Sequence, residues 1–219
     1  NVLVIADYAK GVLTPELIKQ LIKLAKKAKI PVIVDPQGNN YSHYKGVDIV
    51  TPNRKELSLA TGMPANSDKQ IRLAANKLIS DHNIKSILAT RSGDGMTLIN
   101  SNSFNTYKAE AQEIFDVSGA GDTVVATIGA SLSAGIDLKQ AVQLANISAG
   151  IVVAKTGTAV AYANDILEAL IKRKLQNEEI KVLSTKSAVE RTKFWRSQKF
   201  KIGFTNGCFD LLHQGHIAT

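Results

Sequence analysis

Short β-branched runs alternate with longer stretches of helical spacing along the 219 residues. Val2-Leu3-Val4-Ile5-Ala6 reads as a first, apolar strand. Thr14-Pro15-Glu16 then offers an N-cap, a proline at the first helical position and an acid in the first turn. Leu17, Leu21, Leu24, Ala25 and Ala28 are the expected inner face of that helix; Lys23, Lys26, Lys27 and Lys29 fall on its outer face, and Pro31 ends it. Val32-Ile33-Val34-Asp35 is a second strand, broken by Pro36-Gln37-Gly38-Asn39-Asn40. Asp48-Ile49-Val50-Thr51 is a third, with Pro52-Asn53 leading into a helix from Glu56 to Ala60. Ser67-Asp68 caps a longer helix reaching Asp81, Ile84 to Ala89 is a strand, and Met96 to Ile99 with Ser103 to Lys108 forms a hairpin. Helices over Ala120 to Ala134, Leu138 to Ala154 and Asp165 to Leu175 follow, separated by Gly135 and by Thr156-Gly157-Thr158.

Strands and helices taken in turn with short connections predict an α/β fold, a mainly parallel sheet with helices on both faces. Gln176 to Lys199 is polar and charged, with Ser184-Thr185-Lys186-Ser187 as the start signal of a short helix reaching Trp195. Phe200-Lys201-Ile202-Gly203-Phe204 resumes as a strand opening another domain. The expected organisation is therefore a first domain over residues 1–175, a linker over 176–199 and the start of a second domain over 200–219. Asn1 leads at once into a strand, and Thr219 falls inside a motif-bearing segment without a packing partner, so both ends are expected to be cuts.

An apolar share of 44% is enough for a real core. No run approaches the roughly 18 apolar residues of a membrane span, so no membrane association is expected. The single cysteine, Cys208, has no partner for an internal disulfide, which fits a cytoplasmic location. A net charge of +8 raises the question of nucleic acid. The cations are dispersed, however, over the first helix and over Lys172, Arg173 and Lys174, and aromatics are 5%. A small anionic substrate is expected instead, and no nucleic acid.

Asp116-Val117-Ser118-Gly119-Ala120-Gly121-Asp122-Thr123 lies where a strand-like segment meets a long apolar helix. Small residues there let helix N-terminal amides approach an anion, and Asp122 is positioned to take a proton from an attacking hydroxyl. A glycine-rich tight turn with an ordinary capping aspartate is the other reading. A dinucleotide fingerprint would need Gly or Ala where Val124 stands. A Walker A loop would need Gly where Ala154 precedes Lys155-Thr156. Asn53 with Glu56 offers oxygen ligands of the kind Mg²⁺ takes, and the same pair is a capping-box pattern.

The whole run from Asp116 to Thr123, with its Gly-Ala-Gly-Asp core, resembles the C-terminal signature of ribokinase-type carbohydrate kinases. That resemblance implies a ribokinase-like fold, of which this is the C-terminal half, and the cofactors ATP and Mg²⁺. It makes Asp122 the catalytic base and gives the anion hole to Gly119, Ala120 and Gly121, with Val117 where Thr is usual. Asn53-Arg54-Lys55-Glu56 matches the family's Asn-x-x-Glu element, which organises Mg²⁺ and the ATP phosphates through water, without direct metal ligands. Thr90-Arg91-Ser92-Gly93-Asp94-Gly95 is similar to its Thr-x-Gly-x-x-Gly nucleotide loop, with Ser92 at the first Gly position and Thr90 and Gly95 matching; a hairpin turn is the plainer reading. Asn146 falls in the helix where the family lines its adenine site, or is a helix-surface residue.

Gly207-Cys208-Phe209-Asp210-Leu211-Leu212-His213-Gln214-Gly215-His216 carries two imidazoles three residues apart, able to donate to phosphate oxygens. A zinc site is disfavoured, since the only nearby ligands are Cys208 and the two histidines. The run resembles the signature of nucleotidyltransferases, with a second, Rossmann-like domain, in which His213 and His216 would stabilise transition-state charge. The two signatures in this order, with Asp7-Tyr8-Ala9-Lys10-Gly11, Val34-Asp35-Pro36, Thr51-Pro52-Asn53 and Thr90-Arg91-Ser92, resemble bifunctional enzymes of lipopolysaccharide core synthesis. Those enzymes join a heptose-7-phosphate kinase to a heptose-1-phosphate adenylyltransferase. The resemblance implies that Asp7 and Lys10 face the sugar phosphate, unless they form a turn with a solvated lysine. It also implies a homodimeric parent, and a fragment that lacks most sugar contacts and is inactive alone. A different sugar kinase fused to a different nucleotidyltransferase, or a non-catalytic binding module with the kinase fold, are the alternatives.

Overall fold

Six strands form one sheet in chain order, β1 (Leu3–Ala6), β2 (Val32–Asp35), β3 (Ile49–Val50), β4 (Ser86–Thr90), β5 (Met96–Asn100) and β6 (Ser103–Tyr107). This computed structural model describes residues 1–110, 115–177, 183–197 and 199–203. The first four strands pair in parallel; β4–β5 and β5–β6 pair antiparallel. The expected α/β sheet is present, and the antiparallel strands are those expected as a hairpin.

The chain divides into two compact units, Asn1–Ala169 and Leu170–Thr219. In the first, helices cover both faces of the sheet, and strand alternation assigns each side chain to a face. Val32 and Val34 of β2 join Ile87 and Ala89 of β4 in a core with α1 (Pro15–Ala28), α2 (Arg54–Thr61) and α3 (Asp68–His82). Ile33 and Leu88, one residue out of step, join Val124, Ile128, Ala141 and Ala145 of α4 (Ala120–Ser133) and α5 (Leu138–Val153). Burying each such side chain contributes about 1.5–3 kcal/mol, which makes the strand register sharply defined.

Helix ends follow from local chemistry. The Thr14 hydroxyl accepts from the Leu17 N–H at 3.2 Å, and Lys29 closes α1 in a left-handed conformation. Capping boxes open α2 through Asn53 and Glu56, and α3 through Ser67 and Gln70. The inner face of α1 differs from the expectation: Ile18, Ile22 and Ala25 are buried, whereas Leu17 is 37% and Leu24 63% exposed. Each of these leucines lies one residue, about 100° around the helix, off the buried stripe; both the leucines and the isoleucines keep helical spacing, so periodicity alone left the choice open.

In the second unit, α6 (Ala163–Asn177), which begins in the first, is followed by α7 (Thr185–Ser197), the helix expected to reach Trp195. The strand expected from Phe200 does not form over residues 200–203, and Phe204 lies outside the described residues. Phe200 instead donates its N–H to the Trp195 carbonyl at 3.0 Å, and Lys199, with φ 61°, donates to Arg196. This pair of bonds closes a helix C-terminus and occupies the backbone that strand pairing would use. Among the described residues, no helix is long and apolar enough to cross a membrane.

Leu88→Ala is expected to destabilise the folded chain by about 2–5 kcal/mol, and Leu24→Ala by less than about 0.5 kcal/mol. Urea denaturation followed by circular dichroism checks both; equal losses would contradict the assignment of the α1 inner face.

Candidate active site

The parallel strands end along one edge of the sheet, and the polar residues that follow them meet there. Asp35 is the last residue of β2, and Thr51, Pro52 and Asn53 follow β3. Asn53 makes a parallel bridge to Thr90 at the end of β4, whose N–H donates to the Pro52 carbonyl at 2.9 Å. Gly119, at φ 76°, turns the chain into α4, so Asp122 stands in that helix's first turn. Asp35, Thr51, Asn53, Glu56, Thr90, Gly119, Gly121 and Asp122 line one polar cleft of about 200 Å³.

An adjoining, more apolar hollow of about 310 Å³ shares Asn53, Thr90 and Gly121 with the cleft and continues past Ser92, Gly95 and Met96 to Ala120, Asn146 and Val153. The segment Thr90–Gly95 is a strand end followed by a 3-10 turn over Ser92–Asp94. Ser92 sits at φ 51°, a left-handed conformation that glycine adopts more readily. At Gly95 a Cβ would lie 2.0 Å from the Tyr107 carbonyl oxygen, so that position excludes any side chain. Asn146 corrects the reading as a helix-surface residue: it is 5% exposed and donates its Nδ2 to the Lys108 carbonyl at 2.7 Å.

Charged pairs brace the loop. Arg54 is bonded to Asp94, and its guanidinium holds the Asp94 carboxyl below the usual carboxylate range. Arg91, nearly buried, bonds Asp68 at 2.7 Å and the Thr97 hydroxyl at 3.0 Å. Lys55 is exposed and lines neither the cleft nor the hollow. Of the three residues of the predicted anion hole, Ala120 already donates its N–H to the Val117 carbonyl at 3.2 Å.

Asp7 and Lys10 lie along a neighbouring hollow of about 420 Å³ that also includes Tyr8, Val12 and Leu13. Asp7 is engaged at both oxygens: Oδ1 accepts from the Ala9 N–H at 2.8 Å and Oδ2 from the buried Tyr44 hydroxyl at 2.6 Å. Next to it, Tyr8 donates its hydroxyl to Asp122 Oδ1 at 2.9 Å. His213 and His216 lie outside the described residues.

Sequence reasoning passed over Asp35, Thr51 and Tyr8 as site residues. The available signal for the first two was a polar residue ending an apolar parallel strand; Tyr8 had none, since its partner is 114 positions away. Burial pushes the Asp35 carboxyl up to about 6; the Thr51 hydroxyl, donating at 3.0 Å, works against this, and the negative Glu56 and Asp122 add to it. Tyr41, almost fully buried, leaves its hydroxyl without a partner, and burial followed by the Glu56 charge raises that phenol. Among the described residues, no three His, Cys, Asp or Glu side chains converge closely enough to ligate a metal directly.

A polar cleft with carboxylates at helix starts opens to an apolar hollow at the strand ends of a ribokinase-like α/β fold. The chain belongs to the pfkB family of carbohydrate kinases, whose family model matches residues 1–165. It is 50% identical over 219 residues to the Bifunctional protein HldE of Paramagnetospirillum magneticum, a match covering all of this chain and 45% of that one. To the protein of the same name from Rhodospirillum rubrum it is 45% identical over 217 residues, covering 99% of this chain and 44% of that one. It thus spans less than half the length of these relatives. Among solved structures, a ribokinase of Arabidopsis thaliana complexed with ribose and ATP shares the fold with a TM-score of 0.69 at 24% identity, over 77% of this chain and 55% of that one. The phosphofructokinase-2 of Escherichia coli in complex with potassium matches with a TM-score of 0.69 at 22% identity, over 78% and 56%.

A carboxyl whose folded pKa lies above its unfolded value adds stability below the unfolded pKa, about 3.9, and loses it as pH rises through the folded one. With Asp35 pushed up to about 6, the metal-free chain should lose thermal stability between pH 4 and 6 by an increment absent in Asp35→Asn. Melting curves of both proteins across that range check it; parallel pH dependences would contradict the assignment.

Proposed function

We propose that the protein containing this chain transfers the γ-phosphoryl group of ATP to O1 of heptose 7-phosphate, with residues 1–175 supplying the base and nucleotide side of the site. The observation that carries the reading is the convergence of Asp122, the Asn53–Glu56 turn and the Thr90–Gly95 loop on the polar cleft and its adjoining hollow. Half-length identity to bifunctional proteins supports a second activity in the same polypeptide. By the motif reading, that activity is adenylyl transfer from ATP to heptose 1-phosphate, with His213 and His216 stabilising transition-state charge. Together the two reactions lead toward ADP-heptose for the lipopolysaccharide core, in the cytoplasm.

Asp122 accepts the proton of the anomeric hydroxyl as its oxygen forms a bond to the γ-phosphorus and the bond to ADP breaks. The N–H groups of Gly119 and Gly121 at the α4 N-terminus face the charge that builds on the transferring oxygens; the Ala120 amide joins them if the long bond to Val117 opens. The apolar hollow, with Asn146 at its wall, takes the adenine, and the Thr90–Gly95 loop covers the phosphates. Asp35, Glu56 and the Asn53 side-chain carbonyl line the cleft together, oxygen groups of the kind that would hold Mg²⁺. These groups would hold the ion, which when bound would supply positive charge against the phosphates.

In the full-length protein, Asp122→Asn should lower kcat by about a hundred- to ten-thousand-fold while ATP binding, measured by calorimetry, stays unchanged. A panel of sugar phosphates assayed for ADP release should give its highest kcat/KM with heptose 7-phosphate; preference for another sugar would replace the substrate assignment and leave the kinase standing. Lys10→Ala should raise the KM for the sugar phosphate and leave the KM for ATP in place, and an unaltered sugar KM would remove Lys10 from the site.

A further inference from the structure

Tyr8 is 58% exposed, so burial does not hold its ring, yet its hydroxyl reaches across 114 positions of chain to Asp122 Oδ1 at 2.9 Å. The segment that carries it is fixed. Asp7 takes the Ala9 N–H on one oxygen and the hydroxyl of the fully buried Tyr44 on the other. Ala9 is held at φ 52°, a left-handed turn that an alanine adopts only when its surroundings require it. A chain of contacts thus runs from the core through Tyr44 and Asp7 to the loop that presents Tyr8.

We propose that Tyr8 is a positioning residue for the catalytic base: it occupies Oδ1 of Asp122, fixes the carboxylate's rotation and leaves Oδ2 to receive the substrate proton. This rests on Asp122 being the base. A carboxylate at a helix start, exposed to solvent, turns freely about its terminal bond. A base in the wrong rotation presents its proton-accepting lone pair away from the attacking hydroxyl. A hydroxyl donor on a charged acceptor is among the stronger hydrogen bonds available, and a phenol on an anchored loop is a rigid way to deliver it. Tyr8 exchanges no proton in the reaction; Asp122 takes the proton of the sugar hydroxyl and the phenol keeps its own. Consistent with this geometry, the Tyr8 phenol is raised above its ordinary range, first by the hydrogen bond to Asp122 and then by that group's charge. Lys10, two residues on, faces the neighbouring hollow, so one short loop would serve both the base and the acceptor sugar.

The test uses the full-length protein with ATP, Mg²⁺ and the best sugar phosphate of the panel. Tyr8→Phe, which retains the ring, should lower kcat by about tenfold or more with both KM values unchanged. In an Asp122→Asn background the same substitution should cause no further loss. An unchanged kcat, or a raised sugar KM at constant kcat, overturns the positioning role. If Asp122→Asn keeps wild-type turnover, the base assignment falls with it; if Asp122→Asn is inactive and Tyr8→Phe is not, only the role of Tyr8 falls. Carbon-13 NMR of the tyrosine rings, with Tyr8 assigned by its loss in Tyr8→Phe, gives a reading independent of turnover. The Tyr8 phenol should ionise at lower pH in Asp122→Asn than in wild type, and identical titrations would remove the hydrogen bond on which the proposal stands.

Discussion

The parallel pairing of β3 with β4 is the constraint on which the site depends. Its continuation, in the bridge from Asn53 to Thr90, sets the start of α2 beside the start of the Thr90–Gly95 loop. Parallel strands end on the same side of a sheet, and a register shift of one residue would turn every side chain to the opposite face. Ile87 would then leave the α1–α3 core for the α4–α5 core, and Leu88 would move the opposite way. The registration that fills the two cores therefore also delivers Asp35, Asn53 and Thr90 to one cleft.

Against that edge, α4 arrives with its N-terminus. Its first-turn amides lack intrahelical acceptors, and the positive end of the helix, where Asp122 stands, borders the cleft that Asp35 and Glu56 also line. The Asp35 carboxyl registers this setting: burial first, and then the negative Glu56 and Asp122 nearby, push it up. Such a cleft would favour positive charge against its carboxylates and an anion against its helix-terminal amides.

Much of this was legible in the residues. Caps at Thr14, Asn53 and Ser67 marked helix starts where the structure has them, because capping is local chemistry. The hairpin of β5 and β6, the order of elements and the adjacency of the glycine-rich turn to a long helix were also readable, since each depends on neighbours in sequence. Less legible was whatever depends on distant partners. Leu24 and Ile22 are equally apolar, and only the direction of the sheet decides which one is buried. Asn146 looked like a surface residue until the Lys108 carbonyl came within 2.7 Å. Tyr8 carried no local mark of its link to Asp122, and the N–H of Phe200, expected to open a strand, instead closes a helix.

The loop between β4 and β5 is tied down at each end of its turn, by Arg54 to Asp94 and by Arg91 to Asp68 and Thr97. A ligand entering the adjoining hollow would meet a loop whose shape is already chosen, so little of its intrinsic affinity would go into organising the protein. Such a site discriminates by fit rather than by adaptation. Its tolerance for ligands of altered shape should be narrow.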